Sequence, residues 1–280
     1  MPTARAVFWA ATFGALALVV RSFWLGPVPL AVPVIALASY LIMYGLGIVM
    51  PRWCMFADVV EAAESGRHVV ALTFDDGPDP ETTPMVLEIL ARHRANATFF
   101  VIGRKAEQFP EMIRAIVGAG HELGLHGYSH SRVTAFRHEH FIEADLKRAQ
   151  AVLAPFATST LRWFRPPIGH VTLRIGRVAK RLGLTIVCWT VRGLDGLPGA
   201  EPRTVARRVE YDLEDGGIVA LHEAFERARG VPAGVVALDG ILSTIAARGW
   251  RSVTLTELLE GNQTPPATGS CDADSTLRRS

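Results

Sequence analysis

Residues 68–80 read HVVALTFDDGPDP. A β-branched, apolar run ends in two adjacent carboxylates, Asp75 and Asp76, and a Gly77-Pro78 turn follows at once. The run from Val69 to Phe74 predicts a strand, and the turn predicts where it stops. Two carboxylates that close raise each other's pKa, a cost that a solvated turn has no reason to carry. Turn formation and helix capping are the plain alternative, favoured by Thr82 and Thr83 just beyond. If the doublet has a use, it lies at the end of a strand, and the rest of the chain must supply its partners.

Working outward, short apolar runs recur at 69–74, 98–102, 121–125, 161–164, 185–191, 217–221 and 251–255. Helix-period stretches lie between them at 82–94, 106–118, 139–154, 172–182, 202–213 and 234–248. Strand alternating with helix predicts parallel strands joined by crossovers. Seven strands in about 190 residues fit a small or incomplete (β/α) barrel, with a doubly wound open sheet as the competing α/β architecture.

The N-terminal segment reads differently. Hydrophobic residues make up 49% of the chain, and the excess is concentrated before residue 51. Residues 6–20 and 22–50 carry no charge, with Arg21 between them. The second run is long enough to span a bilayer, which takes about 20 apolar residues. The expectation is one or two transmembrane helices, at about 6–26 and 29–50, so that residues 1–60 form a membrane anchor and 66–260 the strand–helix domain. Arg5, Arg21 and Arg52 flank the runs evenly, so the positive-inside rule assigns no topology. Residues 261–280 are polar and read as a disordered tail. A net charge of +2 provides no footprint for nucleic acid. The three cysteines, Cys54, Cys188 and Cys271, form no CxxC pair of the zinc-knuckle kind. Cys188 falls in an expected strand and reads as a small core residue.

In (β/α) barrels the working residues gather at the C-terminal ends of the strands. Asp75 and Asp76 follow the first run here, His126 and His130 the third, Arg165 the fourth, Asp195 the fifth and His222 the sixth. In LGLHGYSH the two histidines stand in an H-x3-H spacing, which on a helical turn lets both imidazoles reach one ion. Two histidines and a carboxylate suit a divalent metal with positions left open. One carboxylate of the doublet would then bind metal, and the other would take a proton from water activated there. Arg165, in RWFRPPIGH, can hold a carboxylate bidentately. His222, ending GIVALH, is placed as a general acid, and Asp195 can orient it. Taken singly, each has a plainer reading: surface histidines, a surface arginine, a satisfied core histidine, a turn aspartate.

In the order TFDDGP, HGYSH, RPPIG, the Asp195 segment and ALH, these residues resemble the five motifs of the polysaccharide deacetylases, carbohydrate esterase family 4. ATFFVIG at 97–103 and GHELGLH at 120–126 add to the resemblance, which covers roughly residues 66–260. It implies a distorted (β/α) barrel that hydrolyses N-acetyl groups of amino sugars: chitin-like oligosaccharide, peptidoglycan or a lipid-linked glycan. By that likeness Asp75 is the catalytic base, oriented by Arg165. Asp76, His126 and His130 hold zinc, or cobalt, nickel or manganese in its place. His222 is the general acid, tuned by Asp195. A backbone N–H near Ile168 helps the metal to stabilise the oxyanion.

Three positions depart from the family's pattern. Ile168 stands where an aromatic residue is usual, Gly196 where the motif usually has Trp, and Gly127 where it has Ser or Thr. The first two remove bulk from the substrate groove, which with the apolar N-terminus suggests a lipid-linked or membrane-proximal glycan, on the cell-envelope face. The competing readings are a catalytically silent glycan-binding protein and an amidohydrolase of another small linear amide. A pure binding module has no need of a base beside a metal set.

Overall fold

The computed structural model describes residues 2–197, 199–226 and 230–261; the expected tail from 262 onward lies outside them. Two helices come first, α1 (Thr3–Leu25) and α2 (Ala31–Val49). Both are long and apolar enough to cross a membrane. They leave most of their side chains bare, with Phe23 and Trp24 at 85% and 84% exposure. The alternating part follows as β1 (Val59–Val60), β2 (Val69–Asp75), α3 (Thr82–Arg92), β3 (Ala97–Val101), α4 (Gly103–Gln108), α5 (Pro110–Gly118), β4 (Glu122–Leu125) and α6 (Glu139–Leu153). It continues with β5 (Trp163–Phe164), α7 (Leu173–Arg181), β6 (Thr185–Val187), β7 (Val191–Arg192), α8 (Pro202–Asp212), β8 (Ile218–His222), α9 (Ala233–Ala247), β9 (Arg251–Ser252) and α10 (Leu255–Glu260).

Among the described residues nine strands are present where the sequence pattern predicts seven. The two-residue β1 is too short to show a period. The expected strand at 185–191 is two strands, β6 and β7, separated by Cys188-Trp189-Thr190. That break closes the fold. Strands run in the order β1-β6-β5-β4-β3-β2-β8-β7, each neighbouring pair parallel, so β6 and β7 lie far apart along the hydrogen-bonded path. Three residues span at most about 13 Å between the flanking strands, so the sheet must curl until its ends meet. The result is the barrel alternative, open-sided, and not the flat doubly wound sheet. Two helical expectations also change. Pro110 starts a new helix, splitting 106–118 into α4 and α5. The expected strand at 251–255 stops at Ser252, because Thr254 accepts a hydrogen bond from the Glu257 N–H and caps α10.

β2 is buried on both faces, and side chains on a strand alternate. Val70, Leu72 and Phe74 belong to the large core under the helices, with Val86 and Leu90 of α3 and Leu238 and Ile241 of α9. Val69 and Ala71 face the barrel interior with Phe100, Trp163, Val187 and Ile218, where Leu255 and Leu258 of α10 also pack. By the same alternation Thr73 and Asp75 continue the interior row, at the end of the barrel opposite α10.

Candidate active site and metal centre

Asp75 closes β2 and pairs in register with His222, which closes β8. The expected acid and the expected base thus sit on adjacent strands of one rung, about 4.8 Å apart along the hydrogen-bonding direction. His126 follows β4 directly, Arg165 follows β5, and Asp195 lies in the loop after β7. The five strand ends named from the sequence do share one rim.

Arg165 is fully buried, and its guanidinium is completely engaged. Nη1 donates to Asp75 Oδ1 at 2.8 Å and to Thr73 Oγ1 at 2.7 Å. Nη2 donates to the Cys188 carbonyl at 2.9 Å, and the ring of Phe100 lies 4.1 Å from the guanidinium carbon. The β6–β7 break therefore has a second role: the Cys188 N–H still donates to the Val60 carbonyl of β1 at 2.7 Å, but its carbonyl is left to Arg165. Cys188 itself is a buried free thiol, pushed up to about 12 by burial.

Asp76 parts from Asp75 by its backbone. Its φ of +70° lies in the left-handed region, uncommon for any residue but glycine. The turn sends the second carboxylate to different partners. Asp76 Oδ1 lies 3.0 Å from His130 Nε2 and 3.5 Å from His126 Nε2. His126 Nδ1 donates to the Arg165 carbonyl at 2.7 Å, which turns its Nε2 toward Asp76. His130 Nδ1 faces Glu226 at 3.4 Å. Burial opposes ionisation of Asp76, but the two imidazoles overcome it and hold the carboxyl far below the usual range. Asp76 Oδ1 is buried without a hydrogen-bond partner. Three donor atoms, one each from Asp76, His126 and His130, lie within 4.8 Å of one another. An orphaned carboxylate oxygen faced by two imidazole nitrogens fits a small divalent cation, and two His with one Asp is a donor set suited to it.

The histidine pair is not on a helical turn. Residues 126–130 form a loop, with Gly127 at φ +80° and His130 at φ +51°. The loop is held from outside, by Asp145 of α6, which accepts the N–H groups of Tyr128 at 2.8 Å and Ser129 at 3.0 Å. A Cβ on Gly127 would come within 3.0 Å of the same carboxylate.

His222 is a fifth exposed. Its Nδ1 lies 3.0 Å from Asp195 Oδ1, and its backbone N–H donates to Asp195 Oδ2 at 2.7 Å. Burial opposes protonation, but Asp195, with Asp75 and Asp76 behind it, pushes the imidazole up to about 9. Asp195 is fully buried. Gly196 leans on the imidazole: a Cβ there would be 2.9 Å from His222 Cε1 and Nε2. Where the family pattern has Trp, this chain lays bare backbone against the acid.

Several supports escaped sequence reasoning. Glu223 is buried beneath the turn, with Thr83 Oγ1 donating to it at 2.6 Å, and a Cβ on Gly77 would collide with its Oε1. Burial pushes this carboxyl up to about 8. Lys105 Nζ donates to the Asp76 carbonyl at 2.7 Å. The local sequence around Asp145, Lys105 and Glu223 looks like ordinary solvated helix or turn, so only Glu223, one residue past His222, carried any signal.

Comparison with known proteins agrees with this geometry. The polysaccharide deacetylase model matches residues 62–187. A peptidoglycan-N-acetylglucosamine deacetylase of Bacillus cereus is 33% identical over 198 residues, 70% of this chain and 90% of that protein. The chain belongs to the polysaccharide deacetylase family. A chitooligosaccharide deacetylase of a Bradyrhizobium strain is 35% identical over 58% of this chain and 73% of its own length. The family 4 acetyl xylan esterase of Clostridium thermocellum, solved with a cobalt ion, superposes with a TM-score of 0.63 at 32% identity, covering 70% of this chain and 93% of that one. As a polysaccharide deacetylase, the chain is a hydrolase by family.

Proposed function

We propose that this polysaccharide deacetylase is a metal-dependent, membrane-anchored enzyme that removes N-acetyl groups from an amino-sugar glycan. The observation that carries the reading is one rim holding three metal-donor atoms, a buried carboxylate fixed by Arg165, and an imidazole kept protonated by Asp195. Relatives named for peptidoglycan and chitooligosaccharide support the substrate class. Asp76, His126 and His130 would hold the ion: zinc by preference, with cobalt, nickel or manganese suited to the same donors. When bound, the ion lowers the pKa of water and polarises the amide carbonyl.

Asp75 accepts the proton of the attacking water, and Arg165 holds it aimed. A backbone N–H near Ile168 is offered to the developing oxyanion. The C–N bond breaks, the water oxygen stays with the acyl carbon, and His222 donates its proton to the departing amine. Acetate and a free amino sugar result. The two bare apolar helices support residues 1–60 as an anchor, with 66–260 as the catalytic unit on the envelope side. The test is acetate release from N-acetylglucosamine oligomers by the full chain, with and without added zinc or cobalt. Release that requires metal and disappears in Asp75→Asn supports the reading; release that survives chelation overturns it.

A further inference from the structure

The anchor does not hang from the catalytic unit by a loose tether. The N–H of Val171 donates to the carbonyl of Ile48, in the last turn of α2, at 3.2 Å. Leu173, at the start of α7, packs with Phe8, Ile48, Met55 and Phe56. Arg5 donates to the Cys54 carbonyl at 2.9 Å and to Asp58 at 2.8 Å, tying the start of α1 to the same junction. Val171 belongs to the loop RPPIGHV, six residues on from Arg165. The loop that positions the Asp75 carboxylate is therefore bonded to the helix end that would leave the bilayer.

Beside that junction lies an apolar surface. Val133, Phe136 and Ile168 are 50%, 56% and 40% exposed. They come from two segments locked together: Thr172 Oγ1 donates to the Ala135 carbonyl at 3.0 Å, Arg174 Nη1 donates to the Phe136 carbonyl at 3.1 Å, and the Phe136 ring meets His170 edge-on at 6.3 Å. Exposed Arg132, Arg137 and Arg174 surround them. Arg132 lies 3.4 Å from Glu226, and Arg137 sits over Phe141. The acids of the adjoining helix, Glu139 and Glu143, are already paired with Arg177 and Arg181. Bare apolar side chains ringed by arginines, at the depth where an apolar helix ends, have the composition of a bilayer-interface contact.

We infer that the surface of Val133, Phe136 and Ile168 rests in the bilayer interface beside α1 and α2, so that the cleft is presented to an N-acylated amino sugar carried on a lipid. The occupant follows from continuity, since the surface adjoins the two helices that have the length and bareness of membrane spans. The substrate half rests on the deacetylase reading; the bilayer half does not. Ile168 then links the two, as an aliphatic side chain on the loop between Arg165 and the anchor.

The test uses the full chain in phosphatidylethanolamine–phosphatidylglycerol vesicles. Val133→Cys and Phe136→Cys carry an environment-sensitive fluorophore, with Tyr211→Cys on α8, 75% exposed, as the distant site and the unsubstituted chain as background for the native thiols. Nitroxide lipids should quench the first two severalfold and leave Tyr211→Cys unchanged; equal quenching at all sites, or none, overturns the bilayer contact. Acetate release is then compared on an N-acetylglucosaminyl lipid in the same vesicles and on soluble oligomers. In V133S/F136S the lipid substrate should lose about tenfold or more in rate while the soluble one is unchanged. Equal rates on both substrates before and after substitution overturn the lipid-carried substrate. No acetate from either, with quenching intact, removes the deacetylase reading and the substrate half with it, and supports the bilayer contact.

Discussion

Asp75 and Asp76 are neighbours in sequence that take different partners because a single backbone angle separates them. Asp75 ends an extended strand and stays on its interior row, against Arg165. Asp76, at φ +70°, leaves that row for the two histidines. Asp75→Asn should cut acetate release about a hundred- to ten-thousandfold while zinc binding, read by calorimetry, is retained. His126→Ala should instead abolish tight metal binding, and added metal should restore little activity. His222 is held protonated to about 9 by Asp195. Activity should therefore fall on the alkaline side through that region, since the acid is lost as pH rises. Asp195→Asn should move this limb toward the ordinary histidine value of about 6.5; an unmoved limb would assign it to another group.

The elements around the rim earn their positions from contacts remote in sequence. Asp145 on α6 holds the His126–His130 loop through two backbone N–H groups. Asp145→Ala leaves both without that acceptor, and should cost about 1–3 kcal/mol of stability and weaken metal affinity although no ligand is touched. Glu223, between β8 and the Gly77 turn, has the opposite pH signature to a salt-bridged carboxylate. Its pKa is raised to about 8 from 4.5, so the folded state holds a proton that the unfolded state releases, and stability falls as pH rises across that window. His222 adds a loss of the same sign above about 6.5. Between pH 5 and 6.5 the buried His121, pushed down to about 4, adds stability as pH rises and offsets Glu223. The thermal midpoint should therefore decline only above about 6.5, and Glu223→Gln should flatten that decline.

At the scale of the whole molecule, one short break organises the barrel. Because β6 and β7 are joined by three residues yet lie far apart in the strand order, the sheet curls, and Cys188 in the join offers its carbonyl to Arg165. The other end of the barrel is filled by α10, whose Leu258 is fully buried among Val69, Ala71 and Ile218. Leu258→Ala should cost about 2–5 kcal/mol, visible as a lowered thermal midpoint, with metal affinity unchanged because the metal set lies at the opposite rim.

Legibility in the sequence followed the range of the interactions. The strand–helix alternation, the apolar N-terminal helices and all seven rim residues were readable, because local period, turn chemistry and strand-end position are written in consecutive residues. TFDDGP and H-x3-H offered candidate metal donors by type and spacing, while the choice of Asp76 over Asp75 came only with the family resemblance. The tertiary structure decided what depends on contacts far along the chain. The barrel rather than the open sheet came from the β6–β7 join, which looks like one strand because its residues are all strand formers. The loop conformation of His126–His130 came from Asp145, fifteen or more residues away, where the spacing alone suggested a helical turn. The contact of Gly196 with His222, the burial of Glu223 under Gly77 and the bond from Val171 to Ile48 are close approaches between distant segments. Residue type and period carry no record of such approaches, because they exist only once the chain has packed.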